Sequence, residues 1–190
     1  TALRCGLAAQ ATDTFAVALG RSAKAHANNA ISIGAHAEVN AGASNSIAIG
    51  RSAEILNVDP NPTTTDEAGE IISVESIVIG ARAKITGDHS TGIGANSNIT
   101  GSNGALLGES ATISADNAVA VGKGSQSRSI DATVVGQGAM VSENALSGTA
   151  LGQNALVSEG ATRSTALGHG AWVQGNNANG TAIGENAIIG

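Results

Sequence analysis

Apolar and polar residues alternate along this chain in short bursts, and each burst ends on an apolar residue followed by glycine. Gly6, Gly20, Gly34, Gly50, Gly80, Gly94, Gly108, Gly122, Gly136, Gly152, Gly168 and Gly184 fall in register, 14 or 16 residues apart except for one step of 30 between Gly50 and Gly80. One residue before these glycines stand Leu19, Ile33, Ile49, Leu107 and Val121, and three before them Val17, Ile31, Ile47 and Thr149. Alternation resumes after the glycine, with Ala23, Ala37 and Ala53 in one column and Ala25, Val39 and Ile55 two residues on. A period of two on both sides of a glycine predicts two short strands joined by a tight turn. Glycine suits that turn because a positive φ costs it no Cβ clash. A single coil of this size buries too little to be stable, so successive coils must stack into a parallel ladder. Twelve turns at about 4.8 Å each predict a rod of about 55 to 60 Å. Glycine beside β-branched residues at every repeat excludes a helical reading.

The columns also suggest which faces are covered. The residues one and three before the glycine, with those three and five after it, are the expected lining of the coil. The column between, containing Ala18, Ala48, Ala120, Ala150, Ala166 and Ala182, carries no charge from Ala18 onward. A strand uncharged on both faces is one covered on both faces, so these alanines are the expected interface with another chain. The second strand is expected to meet water through Ser22, Lys24, His36, Glu38, Ser52 and Glu54. That outer column turns apolar at Met140, Leu156, Trp172 and Ile188. Packing within a wider turn, or against a following neck, is the favoured explanation, because the turns lengthen to 16 residues there. A partner-binding stripe anchored by Trp172 is the other.

Composition narrows the picture further. Glycine supplies 26 of the 190 residues, charged residues 13%, and the aromatic residues are Phe15 and Trp172. Such small side chains suit a core only two side chains thick. The net charge of −6 comes with no Lys/Arg cluster, so a nucleic-acid groove is not expected. Cys5 is the single cysteine and sits in an expected inward column, which reads as a small buried hydrophobe. His26, His36, His89 and His169 occupy different repeat positions, so stacking gathers no metal cluster. No nucleophile motif or phosphate loop is present, so neither catalysis nor a cofactor is expected. Leu56–Glu75 breaks the register with Pro60, Pro62 and several acidic residues, as an insertion or a degenerate turn containing Ile71, Ile72 and Val74. Otherwise residues 1–190 read as one domain. The first residues show no leader-like segment, and targeting and anchoring parts are expected elsewhere in a longer protein.

Asn45-Ser-Ile-Ala-Ile-Gly50 followed by Arg51-Ser52-Ala53, with Asn29–Gly34, Glu75–Gly80 and Asn117–Gly122, resembles the head repeat of YadA-like trimeric autotransporter adhesins. Gly148–Gly152 and Gly180–Gly184 follow the variant led by glycine and threonine. The resemblance implies an all-β, left-handed parallel β-roll (a β-solenoid), homotrimeric, displayed on the bacterial outer membrane. It also implies attachment to host cells or to extracellular-matrix proteins such as collagen and fibronectin. A structural spacer carrying a different binding domain is the alternative. A hexapeptide-repeat acyltransferase does not fit the period, and the calcium-binding nonapeptide pattern is absent.

Overall fold

The computed structural model describes residues 1–56 and 75–190. Its described residues form a two-sided parallel β-solenoid. Three-residue strands, from Leu3–Cys5 and Val17–Leu19 to Thr181–Ile183, make one twelve-stranded sheet. Two-residue strands, from Gln10–Ala11 and Lys24–Ala25 to Ile188–Ile189, make the other. Each strand pairs in parallel with its counterpart one turn on, so like stacks on like: Ile31 on Ile47, Ile33 on Ile49, Val39 on Ile55.

Two corners per turn take the chain from one sheet to the other. At the first, Gly20 adopts φ 134° and Ser22 φ 54°. The amide of Ala23 then donates to the Gly20 carbonyl at 3.2 Å. At the second corner Asn29, Asn45, Asn103 and Asn117 are all left-handed, with φ of 54–55°. Asparagine tolerates that region better than most residues. The Asn29 amide donates to Asn45 Oδ1 at 2.8 Å and the Asn103 amide to Asn117 Oδ1 at 3.2 Å, so neighbouring corners hold one another.

The interior differs from the sequence-based expectation in one important respect. Ala18, Ala48, Ala120, Ala150 and Ala166 are 0% exposed and Ala182 only 2%; all six lie inside the coil of their own chain. They are not an interface with another molecule. The neighbouring residues in the same strands, such as Ile31, Ile33, Ile47 and Ile49, point outward and are half-buried. The expectation carried the alternation straight across the glycine. The corner, with its positive φ values, puts the two strands out of phase, so the residue two before the glycine faces the same space as residues three and five after it. Size agrees with this. The two sheets enclose mostly alanine, with one larger residue from the second sheet in most turns, as at Val39, Ile55, Ile85, Ile99 and Ile113, and a few from the first, at Val78, Leu106 and Val134. Two isoleucines per turn from the first sheet would overfill that gap. The second strand is oriented as expected: Ala23, Ala25, Ala53 and Ile55 are buried, whereas Lys24 and Glu38 face out.

Both ladders run directly across the long step. Ile47 pairs with Ile77 and Glu54 with Lys84. The Ser76 amide donates to the buried Ser46 Oγ at 3.1 Å, fastening one side to the other. Ile71, Ile72 and Val74, the possible degenerate turn, lie outside the described residues.

Candidate binding surfaces

The outward face of the first sheet is the most unusual surface of the molecule. Two columns run its length. One passes through Val17, Ile31, Ile47 and Ile77, the other through Leu19, Ile33, Ile49 and Ile79, and neither contains a charged residue at any turn. Exposed apolar side chains continue at Ile93, Leu107, Val119, Val135 and Leu167. From Thr133 onward the first column becomes threonine, with Thr133, Thr149, Thr165 and Thr181 paired in sequence, while the second stays aliphatic. A contiguous apolar strip of this length on an isolated chain marks an interaction surface. A depression lies over Ala105, lined by Thr91, Ile93, Leu106, Leu107, Val119 and Val121.

The second sheet carries the other candidate. Met140 pairs with Leu156, Leu156 with Trp172 and Trp172 with Ile188, so the four stack as one stripe on its outer side. The first three are half-buried, and Ile188 is 57% exposed. The Trp172 indole Nε1 donates to Ser158 Oγ at 2.7 Å, which ties the ring to the preceding turn. Truncating a buried tryptophan typically costs about 3–5 kcal/mol. This ring is half-exposed, so Trp172→Ala should cost about 1–2 kcal/mol, with intermediate acrylamide quenching of the parent's fluorescence. A thermal melt unchanged by the substitution would show that the ring does not brace the coil.

Nearer the first turns the same outer face is polar. Lys24 bridges Glu38 at 3.1 Å and Lys84 bridges Glu54 at 3.3 Å. Glu38 and Glu54 are themselves paired, so each acidic residue has a lysine on its far side. The histidines are dispersed. His26 contacts Gln10 at 3.1 Å, Arg21 donates to His36 at 3.2 Å, and His169 lies 3.8 Å from Glu185. Among the described residues no group of His, Cys, Asp or Glu is placed to hold a metal ion. Cys5 is exposed, not buried, because its column faces outward. Three exposed apolar corner residues, Phe15, Ile130 and Leu146, fall outside these columns because they lie in the turn before the first sheet.

Stacked two-strand coils, each cornered at a glycine preceded by an alternating triplet, are the geometry on which the family comparison bears. Residues 11–37, 114–139 and 144–171 match the YadA head domain repeat (2 copies). Over those three segments the chain is similar to YadA head repeats. Each match includes a glycine corner with the strands on either side, so the YadA-type unit and the observed turn coincide. The matched repeat is that of an adhesin head, a structural unit. Comparison with curated proteins returns no match. No helix among the described residues is long and apolar enough to cross a membrane.

Proposed function

We propose that this chain is the head of a bacterial surface adhesin that attaches cells to host extracellular matrix or cell-surface receptors. In this reading it works as a left-handed homotrimer held on an outer-membrane anchor. The observation that carries it is the uncharged strip along the first sheet, which leaves an apolar side of every turn uncovered in a single chain. The interface residues are then the outward columns, Ile31, Ile33, Ile47, Ile49 and their equivalents. Burial of these side chains between copies removes the surface that a monomer would expose to water.

Adhesion would use the remaining outer surface. Few deep features are available on a rod of repeated turns, so affinity would come from many weak contacts. Three copies on one rod raise the effective concentration of each contact. The stripe from Met140 to Ile188 is assigned to contact with a following neck or with a partner.

The test is a binding panel with a mass measurement. Light scattering of the purified chain should give three times the 18.4 kDa chain mass. Immobilised collagen, fibronectin, laminin and host cells should then show saturable binding that an equally concentrated monomeric variant loses. A trimer that binds none of them would favour a spacer that holds another domain away from the cell.

A further inference from the structure

Near-identical turns create a difficulty for any association between copies of this chain. Sliding one rod past another by a single turn, about 4.8 Å, brings similar side chains back into contact. Something must single out one alignment. Among the described turns, the first column on the outward face of the first sheet has its smallest side chain at one height. At Ala105 the column that elsewhere holds Val17, Ile31, Ile47, Ile77 and Val119 shrinks to a methyl group and leaves the depression described above. Two residues on, in the same strand, Leu107 projects 52% exposed, more than Ile79, Ile93, Val135 or Leu167 in its column and less than Ile183 of the last turn, at 66%. A knob and a hole thus occupy opposite edges of one strand.

We propose that the hollow over Ala105 seats Leu107 of a neighbouring copy and that this contact fixes the axial register of association. The proposal rests on the reading of this face as the surface between copies. Rotation about an axis parallel to the rod keeps every turn at its own height, so one edge of the strip meets the opposite edge of the next copy's strip at the same level. The occupant fits the size of the face as well. A strip about 50 Å long and 10 Å wide, with its side chains in relief, is comparable to the roughly 800 Å² per partner of a stable interface. A slip of one turn would press Leu107 against Thr91 or Val119 and leave the hollow empty. A larger slip would also set the hydroxyls of Thr133 and Thr149 against wholly aliphatic turns, where they lose water without gaining partners.

Cysteine pairing between mixed chains tests this in the full chain, with Cys5→Ser as background. Leu107→Cys chains mixed with Ala105→Cys chains should form an interchain disulfide at least ten times faster than with Thr91→Cys or Val119→Cys chains. Equal rates at all three heights, in an oligomer of unchanged mass, would overturn the register proposal alone. A monomeric mass in the Cys5→Ser background, with the circular dichroism of the parent, would overturn the interface reading together with it. A second arm fills the hollow without cysteine chemistry. Ala105→Val should weaken association at least tenfold, whereas Val119→Ile, an enlargement outside the hollow's centre, should change it less than twofold. Equal effects of the two would also count against a seated Leu107.

Discussion

Lysine at position 120 should prevent the coil from folding, whereas lysine at position 49 should leave it folded and abolish association. Ala120 is fully enclosed between Leu106 and Val134 within its own sheet and faces the opposite sheet. A lysine there has no acidic partner in an interior of alanine, valine, isoleucine, leucine and serine, and its ammonium cannot reach water past both sheets. An uncompensated buried charge costs several kcal/mol, a large share of the stability of most domains. Ile49 lies on the outward face, where a lysine reaches solvent in a single chain. In an oligomer packed through that face the same lysine would have to be desolvated beside its symmetry mates. Circular dichroism and light scattering on both variants separate the two effects. A folded monomeric Ala120→Lys protein would contradict the placement of that column inside the coil. A full-mass oligomer of Ile49→Lys would remove the first sheet's outer face as the surface between copies.

Gly122→Ala should be almost as damaging, for a reason unrelated to burial of polar groups. Gly122 adopts φ 130°, and a Cβ placed on it would stand 2.5 Å from the Gly136 carbonyl oxygen. Neither backbone can retreat, because the Gly122 amide is bonded to the Leu107 carbonyl and the Gly136 amide to that of Val121, each at 2.8 Å. Backbone strain alone is worth about 1–3 kcal/mol, and the steric conflict adds to it, so a loss of about 3 kcal/mol or more is expected in a chemical denaturation series. Gly124 is the internal control. Its φ is 66° and a Cβ there would meet nothing within 4 Å. Asn96, Asn154 and Asn186 occupy equivalent corners with φ of 53–56°. Gly124→Asn should therefore change stability by less than about 1 kcal/mol. A comparable loss at both positions would mean that the stacked glycine corner is not what limits substitution.

Much of this architecture is legible in the residues because the repeat is short. The glycine spacing locates every corner, and the triplets before Gly34, Gly50 and Gly122 become strands of the expected length. The orientation of the first sheet was not legible in the same way. Alternation says that residues 47 and 49 share a side and that residue 48 takes the other; it does not say which side is inside. Hydrophobicity favoured Ile47 and Ile49 for the interior, but the gap between the sheets holds the single small residue Ala48, not two isoleucines. The predominance of small residues, alanine at 18, 48, 120, 150, 166 and 182 with Ser32 and Gly92, was the usable signal, since a narrow interior restricts size more strictly than an exposed surface does. The stripe at Met140, Leu156, Trp172 and Ile188 stacks as its spacing requires. The bond from Trp172 to Ser158 depends on a rotamer that column counting does not specify. The hollow over Ala105 is equally invisible in a single column; it emerges only when Ile93, Leu107 and Val121 are seen beside it.

The direct pairing of Ile47 with Ile77 and of Glu54 with Lys84 has a consequence for how such a rod can change. Height is counted in hydrogen-bonded turns and not in residues, so the molecule behaves as a ruler whose graduations are about 4.8 Å apart. Thirty residues separate Gly50 from Gly80, yet they advance the ruler by a single graduation, as do the 14 between Gly80 and Gly94. Duplication or loss of one turn alters reach by a fixed increment. Exchange of the segment between residues 56 and 75 alters it not at all. Reach and side decoration are thus separable quantities in this scaffold, and either can drift while the other is held constant.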